Sequence, residues 1–189
     1  YILKSYRLKV DPFKIFEVLK DRRYCFFLDS SLNSNPLGRY SFLGIDPFYI
    51  LETKNHPPSP KASQDVRRKF IEGGQNPFLR LREILDCYKI SLSKNDLPFL
   101  GGAVGYFSYD LGLILEKKIK IKPKPDLGVP DCFFGFYNTI IIIDHFKHSL
   151  YIFSAGFPET DYRAAKSLCE SNFKKIYKLL SKINSTSKT

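Results

Sequence analysis

An α+β fold, with a largely antiparallel sheet and packed helices, is what this sequence predicts, and two observations carry it. Apolar stretches of strand length outnumber those with helical spacing. The clearest neighbours are joined by short turns of the hairpin kind, whereas a doubly wound parallel sheet would need a helix between successive strands. At 189 residues the chain forms one large domain or two small ones, long enough to bury a substantial core.

Residues 1–10 alternate apolar and polar and predict a strand. Asp11-Pro12 then opens a helix with a cap residue followed by proline, its apolar face formed by Phe13, Ile15, Phe16, Val18 and Leu19. A dense apolar strand over 24–28 ends in Asp29-Ser30-Ser31 and turn formers up to Gly38. Residues 39–45 alternate again, Asp46-Pro47 marks a turn, and 48–53 continue as a strand. The stretch 55–64, with three prolines and no periodicity, reads as an exposed loop. Residues 67–72 return as a strand, and 77–88 form a helix capped by Asn76 with Phe78, Leu81, Ile84, Leu85 and Tyr88 on one face.

The chain is organised around 99–110, FLGGAVGYFSYD, a strand that carries Gly101, Gly102 and Gly105 before three aromatics. Glycine weakens a strand, so its presence here predicts close approach by another backbone. Asp110 would cap a short helix over 111–116, and 117–130 form a basic, proline-punctuated connection. Residues 132–144 read as the longest strand, apolar on both faces and so central. A hairpin at 144–148 leads to a returning strand over 150–154. A last helix runs from about 160 to 183, with Tyr162, Ala165, Cys169, Phe173, Ile176, Leu180 and Ile183 spaced by three and four.

The net charge of +11 raises the possibility of nucleic-acid binding, but the basic residues are dispersed over separate elements and no nucleic-acid motif accompanies them. A lysine-rich solvated surface is the plainer reading. Cys25, Cys87, Cys132 and Cys169 are far apart and form no CxxC pair, so they read as buried reduced thiols. The aliphatic run 140–143 is too short to span a bilayer. The chain begins with Tyr1 and contains no Met, which reads as a piece whose start lies upstream.

Motifs for a dinucleotide, a P-loop, a nucleophile elbow or a zinc protease do not occur. Asp144, His145 and His148 lie close together in sequence, but with no further His or Cys they read as a polar turn and not as a metal site. A second polar group is richer. Asp29, Ser30 and Ser31 end one strand, while Arg39, Tyr40 and Ser41 open the next. Converging at one sheet end, they could hold a zwitterion, the carboxylate for an ammonium and the hydroxyls and Arg for a carboxylate. Ordinary turn chemistry is the alternative.

Four blocks then stand out: LDSS at 28–31, GRYSFLGIDPF at 38–48, PFLGGAVGYFSYDLG at 98–112 and DLGVPDCFFGFYNTIIIIDH at 126–145. In order, and over nearly the whole chain, they resemble the N-terminal region of component I of anthranilate synthase and of aminodeoxychorismate (para-aminobenzoate) synthase. The resemblance implies that 1–183 are the non-catalytic N-terminal domain of a chorismate-aminating enzyme and that 184–189 begin the linker to an absent chorismate-binding domain. It places no catalytic residue, metal or cofactor in this segment and assigns Mg to the absent catalytic domain. The implied partners are a glutamine amidotransferase subunit that supplies ammonia, the chain's own chorismate-binding domain and L-tryptophan, with no nucleic acid and no membrane. The implied location is cytoplasmic.

In that family this region helps form a tryptophan pocket, regulatory in anthranilate synthases and structural in some aminodeoxychorismate synthases. The matching positions are Asp29, Ser30, Ser31, Arg39, Tyr40 and Ser41, which turns the balance from turn chemistry towards a ligand site. Anthranilate enzymes typically carry Glu where this chain has Asp29. That departure favours aminodeoxychorismate synthase and folate biosynthesis, with anthranilate synthase as the alternative and a basic nucleic-acid-binding domain as a more distant one.

Overall fold

The computed structural model describes residues 1–30, 38–53, 67–71, 75–90, 97–109, 111–112 and 129–186. It has the α+β architecture expected, with nine strands and three helices among these residues. The chain divides into two compact units, one of Tyr1–Pro47, Lys94–Gly102 and Tyr137–Thr189 and one of Phe48–Ser93 and Ala103–Phe136.

The first unit holds β1 (Ile2–Arg7), α1 (Pro12–Leu19), β2 (Phe26–Leu28), β3 (Tyr40–Gly44), β8 (Thr139–Asp144), β9 (Ser149–Ser154) and α3 (Tyr162–Thr186). Its five strands lie in the order β1-β9-β8-β3-β2, and every pair is antiparallel. β8 is the middle strand and is buried along its whole length, as an isoleucine run covered on both faces should be. Ile141 and Ile143 pack with Leu43, Ile152, Ile15 and Leu19, and with Phe173, Ile176 and Ile183 of α3. On the opposite face Phe42 meets Phe99 edge-on, 5.6 Å between ring centres.

Helix starts follow the sequence. The Asp11 carboxylate accepts from the Phe13 N–H at 2.7 Å, and Pro12 holds the first helical position. α3 begins at Tyr162, with Asp161 accepting from the Ala164 N–H at 2.9 Å. It reaches Thr186, past the end at 183 that the apolar spacing marked.

The second unit holds β4 (Tyr49–Thr53), β5 (Arg67–Ile71), α2 (Pro77–Cys87) and, apart from the end residues Gly102 and Tyr137, the strands β6 (Gly102–Phe107) and β7 (Cys132–Tyr137), in the order β5-β4-β7-β6. β4 pairs antiparallel with β7 and parallel with β5. Asn76 caps α2, its side chain accepting from the N–H groups of Phe78 and Leu79. Leu51, Ile71, Ile84, Cys132 and Phe136 form this unit's core. The loop 55–64, residues 113–128 and Asp110 lie outside the described residues.

Two expectations change. The long strand over 132–144 is two strands in two sheets, broken at Asn138. There the chain passes from β7 to β8: the Asn138 main-chain carbonyl accepts from the Ala155 N–H at 2.7 Å, continuing the register of β8 with β9, and its side-chain amide donates to the Phe157 carbonyl. Continuous apolarity hides such a break, and the poor strand propensity of Asn was its one local signal. The second change concerns the thiols: Cys132 and Cys169 are buried, but Cys25 is half-buried and Cys87 is exposed.

The close approach expected along the glycine strand is present. A Cβ on Gly105 would collide with the Phe133 carbonyl oxygen and lie 2.7 Å from the Phe134 Cα. Gly105→Ala should therefore destabilise the protein by about 1–3 kcal/mol or more, because only backbone is there to yield. Gly112→Ala, with nothing within 4 Å, is the neutral control. Urea denaturation midpoints of the two variants check this; equal midpoints would mean the strands do not meet so closely.

Candidate functional site

Antiparallel pairing sets Leu28 opposite Phe42 and Tyr40 opposite Asp144. Asp29 and Ser30 directly follow β2 and Arg39 directly precedes β3, so the two polar segments of the sequence meet at one end of the five-stranded sheet. Beside them lies an open concavity of about 520 Å³. Among the described residues its lining is Leu28, Asp29, Ser30, Tyr40, Phe42, Pro98 and Phe99. That volume falls in the range of small-molecule sites, about 300–1,000 Å³. The aromatic wall is continuous: Tyr40 stacks on Phe42 at 6.2 Å, and Phe42 meets Phe99.

The polar corner is a connected hydrogen-bond set among the described residues. The Ser30 N–H donates to Ser41 Oγ at 3.2 Å, and Ser30 Oγ donates to the Tyr40 carbonyl at 2.7 Å. Ser41 Oγ donates to Asp29 Oδ1 at 2.8 Å and lies 2.7 Å from His145 Nε2. Ser41 is fully buried and is not part of the lining, since alternation along β3 turns it to the face opposite Tyr40 and Phe42. With both serine hydroxyls and the Ser30 N–H already donating, what Asp29 and Ser30 offer a ligand is acceptors. Such a corner suits an ammonium group.

Arg39 is placed differently from the zwitterion expectation. Its guanidinium grips Asp144, Nε at 3.2 and 3.1 Å from the two carboxylate oxygens and Nη2 at 2.7 Å from Oδ2. It also lies 4.8 Å over the Tyr40 ring and does not line the concavity. Asp144 is only 1% exposed. Burial, the largest influence, pushes its carboxyl up, but the Arg39 hydrogen bond and charge and the N–H groups of Lys147 and Phe146 outweigh it and hold the pKa below its ordinary value. Ser31 lies outside the described residues.

Sequence reasoning passed over His145, Phe42, Pro98 and Phe99 as members of this site. His145 was visible only as a turn residue, and its role depends on the hairpin laying it over β3, where its N–H donates to the Arg39 carbonyl at 2.9 Å. Among the described residues no group of three or more His, Cys, Asp or Glu is placed to hold a metal ion. Nor is any helix there long and apolar enough to cross a membrane.

No family model matches the chain. It is 31% identical over 141 residues to anthranilate synthase component 1 of Acetivibrio thermocellus, covering 75% of this chain and 28% of that protein. It is 29% identical over 157 residues to aminodeoxychorismate synthase component 1 of Escherichia coli (strain K12), covering 82% of this chain and 33% of the relative. The chain thus spans about a third of the length of these curated relatives. Its fold is similar to the crystal structure of anthranilate synthase component I from Streptococcus pneumoniae TIGR4, with TM-score 0.56 and 22% identity over 93% of this chain and 36% of that one.

Replacing Arg39 by Met would leave the buried Asp144 carboxylate without its cation, so Arg39→Met should lower the urea midpoint at neutral pH. A carboxyl with a depressed folded pKa contributes stability above its ordinary pKa and loses it as pH falls through the folded value. The advantage of wild type over Arg39→Met should therefore narrow between about pH 7 and about pH 3, which urea titrations at the two pH values measure.

Proposed function

We propose, from the premise that this chain is a homologue of component 1 of the chorismate-using synthases, that it is the N-terminal, non-catalytic domain of a chorismate-aminating enzyme. The reading we favour is aminodeoxychorismate synthase, serving folate biosynthesis. The alternative is the same region of anthranilate synthase, with a tryptophan feedback site. Relatives of both names match at nearly the same identity, so the preference rests on Asp29, whose carboxylate is one methylene shorter than the Glu of the anthranilate enzymes.

In this proposal the domain binds an aromatic amino acid, L-tryptophan first among them, in the concavity beside β2 and β3. The observation that carries it is the pairing of an aromatic wall (Tyr40, Phe42, Phe99) with the acceptor corner at Asp29 and Ser30. The rings would stack on the wall, and the ammonium would take the Asp29 carboxylate. Because Arg39 is engaged with Asp144, the ligand carboxylate would be met by groups outside this set. Chorismate chemistry would belong to a separate chorismate-binding domain, with ammonia from a glutamine amidotransferase subunit. The Mg²⁺ implied by the family would be held in that catalytic domain.

Titration calorimetry of the full-length protein with L-tryptophan, beside a chorismate and ammonia assay, tests this reading. Saturable binding with aminodeoxychorismate as product is expected. Anthranilate as product, with inhibition by tryptophan, would favour the alternative, and absence of binding would reject the pocket. Asp29→Asn should weaken L-tryptophan about tenfold or more, the size expected for a hydrogen bond to a charged group. Indole-3-propionate, which lacks the ammonium, should bind wild type and variant alike.

A further inference from the structure

We infer that His145 is a positioning residue of this site: its Nε2–H fixes the Ser41 hydroxyl as a donor to Asp29 and so holds the carboxylate in place for a ligand ammonium. The inference rests on the ammonium reading above for its ligand, but its geometry stands independently.

The argument is a count of protons. Among the described residues Ser41 Oγ has three neighbours at hydrogen-bond distance, the Ser30 N–H, Asp29 Oδ1 and His145 Nε2. A hydroxyl supplies one proton and two lone pairs. The Ser30 N–H can only donate, so it occupies one lone pair. An ionised Asp29 can only accept, so it takes the hydroxyl proton. One lone pair remains, and His145 Nε2 must therefore donate to it. The ring is the Nε2–H tautomer or the imidazolium; the Nδ1–H tautomer would present a lone pair and compete with Asp29 for the Ser41 proton.

Asp29 depends on that outcome. It is exposed at the end of β2, and Ser41 is the hydrogen-bond partner its carboxylate has among the described residues. With His145 donating, the Ser41 proton has a single acceptor and Asp29 keeps one orientation. Without it, the hydroxyl is free to turn and Asp29 is held less firmly. His145 itself does not line the concavity, so its effect on a ligand passes through Ser41 and Asp29. The main-chain N–H of His145 donates to the Arg39 carbonyl, which ties the residue's backbone to the start of β3.

Two variants and two probes test this in the full-length protein. His145→Leu removes the donor, while His145→Gln places an amide N–H near the Nε2 position. L-tryptophan should bind His145→Leu about fivefold more weakly, the effect of one ordinary hydrogen bond, and His145→Gln within about twofold of wild type. Indole-3-propionate should bind all three alike. Equal affinity of His145→Leu and wild type for L-tryptophan, or equal weakening of both probes, would overturn the inference, since general disruption of the site would move both. Long-range ¹H–¹⁵N spectra of the ligand-free protein should show Nε2 protonated, and an Nδ1–H tautomer would overturn it regardless of binding. If wild type binds neither probe, the ammonium reading falls and the tautomer alone decides the role of His145 in holding Asp29.

Discussion

A buried carboxylate at the end of a central strand must be answered locally, and the way Asp144 is answered sets much of the geometry around it. Burial disfavours its charge, so the chain supplies an arginine fork from Arg39 and two N–H groups from the hairpin that follows. Those contacts define both the start of β3 and the turn into β9. They also hold Tyr40 opposite Asp144, so Ser41 falls opposite Ile143 and within reach of the residue after Asp144. The polar corner at Asp29 is therefore downstream of an ion pair that never touches the concavity.

This division of labour changes how the polar residues at the sheet end are understood. Arginine beside serine and tyrosine invites a picture in which every group faces a ligand. Here one group of residues builds the frame and another borders the open space. Arg39, Asp144, Ser41 and His145 belong to the frame, while Asp29, Ser30, Tyr40, Phe42 and Phe99 border the cavity. The guanidinium also lies over Tyr40, which steadies the first ring of the aromatic wall.

Much of the fold was legible in the sequence because its signals are local. Alternation over β1 and β3, the Asp-Pro and Asn-Pro helix starts, and the spacing along α3 each depend on a few adjacent residues. The convergence of Asp29 and Ser30 with Arg39 and Ser41 followed once two neighbouring strands were assumed to pair. What stayed hidden depends on distance along the chain. Arg39 and Asp144 are 105 positions apart, and Ser41 and His145 are 104 apart. Nothing in either neighbourhood announces the partner. The break at Asn138 was hidden for another reason: two buried strands in succession read as one when neither has an exposed face to alternate with.

That break has a consequence for how this piece of protein can be divided. The chain passes from one compact unit to the other after Pro47, returns after Ser93, leaves again after Gly102 and returns after Phe136. Neither unit is a continuous stretch of sequence. Neither can be moved as a single uninterrupted block of sequence, and a cut between β7 and β8 would separate strands of both sheets from their partners. An exchange that keeps either unit whole therefore needs more than one junction in the chain, even though each has a core of its own.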